Sequence, residues 1–311
     1  MRILFMGTPD IAAACLRHLL DEGREVVGVV CQPDKPKGRG NKMLPPPTKE
    51  LALERGIPVF QPFTLKDGAF ENELKELNPD VIIVVAYGKI LPSYVLSFPR
   101  YGCMNLHVSL LPAYRGAAPM QRAIMAGEAE TGVTVMYMDE GLDTGDIISV
   151  CRYPIEKDDD YGTISAKAAH FGAPMLSVAI EGAEAGTLTR TPQPKEGATY
   201  APKIEKTECK IDFSKSAAEL DCLLRALSPA PFGFCRLPSG KLLKVPKATV
   251  AKGSGAPGTV ISVSDAGEGH ITVACGEGAI AFTEIIPEGK NRMSAAAFVR
   301  GRGIKEGDIL S

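Results

Sequence analysis

Asn105 and His107 stand two residues apart in the run Asn105-Leu106-His107-Val108-Ser109-Leu110-Leu111-Pro112. Further along, the chain carries Asp139-Glu140-Gly141-Leu142-Asp143-Thr144-Gly145-Asp146. The first run reads as the end of a strand. Side chains alternate faces along a strand, so Asn105 and His107 point the same way. The second run offers a carboxylate in a Gly-rich loop. An amide donor, an imidazole and a carboxylate are the parts that stabilise and deprotonate a tetrahedral intermediate of acyl transfer.

The other histidines carry no such grouping. His18 and His170 fall in helix-like segments without polar neighbours in the sequence and read as structural or surface residues. His107-x-Ser109 does not make a serine hydrolase, because no Gly-x-Ser-x-Gly elbow is present and Ser109 runs into a Leu-Leu-Pro turn. The acids of 139–146 lack calcium-loop spacing. Gly141 and Gly145 flank Asp143 and let backbone approach a ligand. On the residues alone, Asp143 leads Asp146 only slightly.

These groups need a scaffold, and the pattern supplies one. Arg2 to Met6, Glu25 to Cys31, Val81 to Ala86 and Cys103 to Val108 are apolar, strand-like runs, and Val81 to Ala86 is apolar on both faces. Helix-like segments at 11–20, 48–55, 69–77 and 92–98 fall between them. This alternation predicts an α/β fold with a doubly wound, mostly parallel, Rossmann-like sheet. Val133 to Met138 and Ile147 to Tyr153 add later strands, and the Ala-rich run Thr163 to Glu184 predicts a closing helix. Gly7-Thr8-Pro9 lacks the G-x-G-x-x-G spacing, since Pro9 and Ala12 occupy its later positions, so it reads as a plain strand–helix turn. That argues against a nicotinamide-dependent oxidoreductase.

Residues 186–202 are rich in Gly, Thr and Pro and predict a linker between a domain over 1–185 and a second over 203–311. The second domain carries one helix candidate, Ala217 to Ala226. Its short strands lie near 234–237, 242–245, 258–263, 270–275 and 279–286, the pattern of a small β-barrel. The formal net charge of −2 argues against a uniformly basic nucleic-acid binder. It divides unevenly, into −5 over 1–202 and +3 over 203–311, so the smaller domain is the one suited to an anion. None of the eight cysteines forms a Cys-x-x-Cys pair, and most lie in apolar runs. This predicts neither a disulfide framework nor a metal site, and a reducing, cytoplasmic setting. No apolar stretch approaches ~20 residues and no signal-peptide core follows Met1-Arg2, so neither a membrane span nor a leader is expected.

Gln32 to Lys42 forms a basic insertion after the second strand, with Lys35, Lys37, Arg39 and Lys42 against one acid, Asp34. Composition alone reads it as a solvated loop. The function it suits is contact with an RNA end, where Lys and Arg neutralise phosphates.

With Asn105 to Pro112, Leu142-Asp143-Thr144-Gly145, the start Gly7-Thr8-Pro9-Asp10, Gln32-Pro33-Asp34 with Gly38-Arg39-Gly40, Ala86 to Pro92 and Tyr114 to Pro119, the chain closely resembles the folate-dependent formyltransferases. The resemblance covers nearly the whole chain. It is closest to the branch that formylates the methionyl amine of charged initiator tRNA for translation initiation. The basic loop and the C-terminal domain carry that distinction, because Asn105, His107 and Ser-Leu-Leu-Pro are shared with glycinamide ribonucleotide and nucleotide-sugar formyltransferases.

The resemblance implies direct transfer from 10-formyltetrahydrofolate, without metal or covalent enzyme intermediate, by a monomer that binds folate and tRNA. Asn105 would donate to the formyl oxygen, His107 would stabilise the oxyanion, and Asp143 would tune the imidazole and help move the proton. Ser109, Leu110, Leu111 and Pro112 would form one folate wall, with Ile90 and Leu91 opposite. Lys35, Lys37, Arg39 and Lys42 would meet tRNA, and the C-terminal barrel would be OB-like and help hold it. The rival readings are a nucleotide-sugar formyltransferase, a folate-bound hydrolase in which water replaces the amine, and a non-enzymatic RNA-binding protein.

Overall fold

The computed structural model describes residues 1–37, 42–66, 68 and 70–311. Contacts divide the chain into two compact units. The first comprises 1–119, 130–154 and 165–202; the second comprises 120–129, 155–164 and 203–311.

In the first unit, β1 (Ile3–Gly7), β2 (Val26–Val30), the hairpin strands β3 (Lys35–Lys37) and β4 (Lys42–Leu44), β5 (Val59–Phe60), β6 (Val81–Val85) and β7 (Cys103–His107) alternate with α1 (Asp10–Asp21), α2 (Pro47–Glu54), α3 (Glu71–Leu77) and α4 (Ser93–Leu96). After the short β8 (Arg115–Gly116) and α5 (Pro119–Met125), which belongs to the second unit from Met120 on, come β9 (Glu130–Tyr137), β10 (Ile147–Pro154), α6 (Tyr161–Ala185), part of the first unit from Ser165 on, and the short β11 (Tyr200–Ala201). Among the described residues, seven strands form one sheet in the order β10-β9-β7-β6-β1-β2-β5. The pairs β1–β2, β1–β6, β2–β5 and β6–β7 are parallel, whereas β7–β9 and β9–β10 are antiparallel.

Every residue of β1, β6 and β7 is buried, as expected for strands covered on both faces. Leu4, Met6, Ile82 and Val84 pack with Leu74, Val95 and Cys103 in one core. The alternate residues Ile3, Phe5 and Ile83 are also fully buried, and α1 contributes buried Ile11, Ala12, Cys15, Leu16 and Leu19. Strand order reverses between β1 and β6, and ligands of open α/β sheets bind beyond the carboxyl ends of strands at such a point. Three loops are tied there. Thr8 Oγ1 and Gln32 Nε2 donate to the Tyr87 carbonyl at 3.4 and 3.0 Å, and Thr48 Oγ1 donates to the Gly7 carbonyl at 2.9 Å. A Cβ on Gly7 would lie 2.7 Å from both Ala12 Cβ and the Val85 carbonyl oxygen, so this glycine serves the packing of strand, helix and neighbour.

The segment 186–202, expected as a linker, is fastened to the first unit. Thr191 bridges Ile147, Tyr200 and Ala201 pair with Arg115 and Gly116, and Thr199 receives the Tyr114 N–H. It has no periodicity because it is bonded in turn to the start of β10, the 143–145 loop and β8 rather than along one helix face or one sheet edge.

In the second unit, α7 (Ala217–Ala226) begins with a Ser216/Glu219 capping box. It accompanies an antiparallel sheet of β12 (Gly233–Arg236), β13 (Leu242–Ala251), β14 (Val260–Ser264), β15 (His270–Ala274), β16 (Ala279–Pro287) and β17 (Met293–Ser294), with α8 (Ala295–Arg300) after it. The order is β12-β13-β16-β15-β14, with β17 on β16. The tail brings the two edges together. Arg236 and Ser311 exchange backbone hydrogen bonds on the β12 side, while Val260 N donates to Asp308 O and Leu310 N to Gly258 O on the β14 side. The sheet thereby closes into a small barrel around Leu243, Val245, Val273, Ile280 and Phe282.

All eight cysteines are free, and burial pushes the thiols of Cys15, Cys103 and Cys235 up to about 12, so they act as small apolar side chains. Among the described residues, no helix is long and apolar enough to cross a membrane.

Leu310 is 3 % exposed and belongs to the barrel core. Leu310→Ala is expected to destabilise the C-terminal unit by ~2 kcal/mol, at the low end for buried Leu→Ala because a terminal segment can relax into the space. Thermal unfolding of the full chain checks this; an unchanged transition would show that the tail does not hold the barrel closed.

Candidate active site

β7 presents Asn105 and His107 on one face at its carboxyl end, where they are 8 % and 5 % exposed. His107 Nε2 lies 3.0 Å from the Tyr114 carbonyl oxygen. A carbonyl only accepts, so Nε2 carries the hydrogen in that bond. Nδ1 faces Asp143 Oδ2 at 3.6 Å. That same carboxylate oxygen accepts the Gly116 N–H at 2.8 Å, which aims it. Among the described residues the Asn105 side chain has no hydrogen-bond partner, so its amide remains available at the sheet end.

The loop of 138–146 is folded tightly enough to bring Asp143 there. Met138 N donates to Cys103 O and Tyr137 N to Asp146 O. Asp139 Oδ1 accepts from Gly141 N at 2.9 Å and Thr144 Oγ1 at 2.7 Å. Glu140 accepts from Ser93 Oγ at 2.7 Å. Two of the four acids thus brace the loop. Gly145 packs so closely on β9 that a Cβ would overlap the Tyr137 carbonyl oxygen. Asp143 itself has φ +52°, a left-handed conformation rare for a residue with a side chain.

Of the residues expected to line a folate pocket, the structure buries three side chains, those of Ser109, Leu91 and Leu111. Ser109 is fully buried and donates to the Ala113 carbonyl at 2.7 Å, so its hydroxyl braces the turn. Leu91 is 3 % exposed and packs in the core with Tyr87 and Val95. Ile90 is 72 % exposed and open to a ligand, Leu110 and Pro112 are half-buried, and Leu111 is 7 % exposed. The alternation that turns Leu91 inward turns Ile90 outward. Leu142, beside Asp143, is 52 % exposed and adds apolar surface that the sequence pattern did not single out. Lys89, next to Ile90, donates to the carbonyls of Pro62 and Phe63 at 2.8 and 2.7 Å. Burial and neighbouring Lys35 hold its pKa below the usual lysine value.

Arg115 and Gln193 also escaped the sequence reading. Arg115 is 8 % exposed and pairs with the Gln193 side-chain oxygen. No periodicity or motif marks Gln193, which lies in irregular chain. Among the described residues, no group of three or more His, Cys, Asp and Glu side chains is arranged to hold a metal ion.

The basic insertion is a hairpin, with Lys35 opposite Leu44 and Lys37 opposite Lys42. Lys35 is exposed. The backbone of Lys37 and Lys42 is described but their side chains are not, and Arg39 lies outside the described residues. The foot of the hairpin is clamped. Lys49 Nζ reaches both Asp34 carboxylate oxygens at 2.9 Å and Gln61 Oε1 at 2.8 Å. Gln61 Nε2 donates to Asp34 Oδ1 at 2.8 Å and to the Gln32 carbonyl at 2.9 Å. The Gln61 hydrogen bond, and after it Lys49, hold the Asp34 carboxyl below its usual pKa.

Residues 1–180 match the family model described as formyl transferase, and residues 203–303 match that of the formyl transferase C-terminal domain. A methionyl-tRNA formyltransferase of Myxococcus xanthus is 48 % identical over 306 residues, covering 98 % of this chain and 96 % of the relative. A methionyl-tRNA formyltransferase of Caldanaerobacter subterraneus is 47 % identical over 313 residues, covering 100 % of both. Among solved structures, HypX from Aquifex aeolicus in complex with tetrahydrofolic acid shares the fold, with a TM-score of 0.70 and 18 % identity over 100 % of this chain and 50 % of that one.

The Asp34 clamp makes a pH prediction. A carboxyl with a folded pKa below its unfolded value of ~3.9 stabilises the protein above that value and loses the contribution as pH falls through the folded pKa. The stability difference between wild type and Asp34→Asn is therefore expected to hold from pH 7 to pH 5 and to shrink below ~3.9. Urea midpoints at pH 7, 5 and 3 measure it; a difference that grows on acidification would reverse the assignment.

Proposed function

Because the chain belongs to the formyl transferase family, we propose that it transfers the formyl group of 10-formyltetrahydrofolate to the methionyl amine of charged initiator tRNA, with Asn105, His107 and Asp143 as its catalytic residues. The observation that carries the reading is the meeting of these three residues at the end of β7, with the Asp143 carboxylate 3.6 Å from the His107 ring.

The acceptor amine attacks the formyl carbon, and its lone pair forms the new C–N bond while the carbonyl electrons move to oxygen. Asn105 offers an amide N–H to that oxygen without first breaking another bond. His107 stabilises the same charge as it develops. The imidazole is oriented by Tyr114 through Nε2, and its other nitrogen faces a fixed carboxylate. Asp143 compensates positive charge on the ring and helps take the proton from the attacking nitrogen. The intermediate collapses with cleavage of the bond between the formyl carbon and the folate nitrogen, which leaves with its electron pair and takes a proton. No enzyme nucleophile enters the scheme. Ile90, Leu142 and Leu110 supply apolar surface for the folate.

The relatives named methionyl-tRNA formyltransferase support the acceptor, and so does the basic composition of 32–42, where Lys35, Lys37, Arg39 and Lys42 suit phosphates. A role in translation initiation would make the protein cytoplasmic, acting as a monomer on a macromolecular substrate.

His107→Ala and Asp143→Ala are each expected to lower single-turnover transfer by ~10²–10³ while the protein stays folded. Rates within a few-fold of wild type would remove these residues from the mechanism. Measuring transfer to charged initiator tRNA, to a sugar-nucleotide amine and to no acceptor separates the rival readings. Preference for the sugar amine, or donor hydrolysis unaffected by acceptor, would overturn the proposed substrate.

Replacing Lys35, Lys37, Arg39 and Lys42 together by Ala is expected to weaken tRNA affinity strongly, leave folate affinity unchanged, and flatten the salt dependence of tRNA binding, because each lost phosphate contact removes ~0.7–0.9 from the logarithmic slope. Apparent affinities for both ligands at two salt concentrations test this. An unchanged slope would return the hairpin to a solvated connector.

A further inference from the structure

Gln193 lies in the irregular segment 186–202, distant in sequence from every residue to which a step has been assigned. Its carboxamide is nonetheless fully engaged. The oxygen accepts from Arg115 Nε at 3.2 Å and Nη2 at 2.6 Å. The nitrogen donates to the carbonyls of Asp143 at 2.9 Å and Gly145 at 2.8 Å. The group rests on β9, with Met136 Sδ 3.8 Å from its nitrogen. A primary amide is suited to this place because it accepts from a guanidinium at one end and donates two hydrogens to carbonyls at the other.

The four bonds join the two halves of the Asp143 seat. Arg115 precedes Gly116, whose N–H holds the Asp143 carboxylate. Asp143 and Gly145 belong to the turn that delivers the carboxylate. The backbone around Gln193 is itself anchored, by the Thr191–Ile147 bridge on one side and the pairing of Thr199, Tyr200 and Ala201 with Tyr114, Arg115 and Gly116 on the other. A non-glycine residue at φ +52° persists where its surroundings over-determine it, and at Asp143 the carboxamide grips the carbonyl while Gly116 grips the side chain.

We propose that Gln193 is a positioning residue for formyl transfer: its carboxamide locks the Asp143–Gly145 turn to Arg115 and so sets the approach of the Asp143 carboxylate to His107. This rests on the roles given above to Asp143 and His107. Gln193 touches no reacting atom and acts only through Asp143.

Gln193→Glu is the direct test, since the side chain keeps its size and its acceptor for Arg115 but can no longer donate to two carbonyls. A displacement of ~1 Å at a catalytic group can cost up to ~10²-fold in rate, so kcat is expected to fall at least ~10-fold, with KM for folate donor and charged tRNA within ~2-fold of wild type. In the Asp143→Ala background the same change is expected to have no further effect, because the group it positions is gone. Should Gln193→Glu melt early, the double variant Arg115→Met/Gln193→Met removes the guanidinium–carboxamide pair together and leaves only the Asp143 and Gly145 carbonyls without their donor, and it is judged by the same two readouts.

A wild-type kcat in the folded variant overturns the inference. So does an equal further loss in the Asp143→Ala background, which would mark a structural role independent of Asp143. Failure of the underlying mechanism reads out separately, as wild-type turnover in Asp143→Ala alone.

Discussion

A carboxylate carried on a surface loop has to be held against an imidazole at the end of a buried strand, and much of the first unit is arranged around that requirement. His107 is fixed by its strand and by the Tyr114 carbonyl. Asp143 has no strand to fix it. It depends on the Gly116 N–H for its carboxylate, on Gln193 for its backbone carbonyl, and on internal bonds from Asp139 to Gly141 and Thr144 for the shape of its loop. Such electrostatic catalysis depends on groups already in place when charge develops, since reorganising them during the reaction would return the gain. Rigidity is concentrated on the aiming of the acid, while the Asn105 amide is left unengaged among the described residues. That division suits a group whose partner arrives with the substrate.

Sheet topology explains why these loops can meet. β7 continues the parallel arrangement from β6, but β9 returns antiparallel beside it, with His107 opposite Thr134 and Met104 opposite Tyr137. Thr134 Oγ1 donates to Ser109 O and accepts from Leu111 N, tying the turn after His107 to the next strand. Ser109 itself braces that turn through Ala113. The Ser-Leu-Leu-Pro run is therefore a rigid support for the imidazole as well as a source of apolar surface. Leu110 faces Gly132 so closely that any side chain there would strike it.

The legible parts of the sequence were those governed by one periodicity. β1 and β6 are apolar on both faces and α1 carries one clean apolar stripe, so each declared itself. Asn105 and His107 were legible because a strand sets their common face. β13 was not legible to its full length. The expected stop at Val245 precedes Pro246, whereas the strand continues to Ala251 through register shifts around Lys247 that absorb the proline. β8 and β11, two residues each, have no period to detect. Ile90 and Leu91 were named together, although neighbours on extended backbone face opposite ways, and only Ile90 remains open. Gln193 was invisible for a deeper reason: its four bonds join segments far apart in sequence, and a lone polar residue in a Pro- and Gly-rich stretch carries no local mark of what it holds.

The same reasoning separates chemistry from choice of acceptor. In the proposed mechanism Asn105, His107 and Asp143 would serve any amine that reaches them, so selectivity would have to come from surfaces that meet the acceptor elsewhere. In the basic insertion, Asp34 is the one acid within 32–42, and it is consumed by Lys49 and Gln61 at the hairpin's foot. Lys49 lies outside the insertion, on α2, so the insertion's one acid is paired by a cation from elsewhere in the unit. Among the described residues, Lys35 is exposed and has no ion pair. A connector needs no such arrangement. A surface that gains affinity by releasing counterions from a polyanion does, because every cation paired within the protein is one fewer for phosphate.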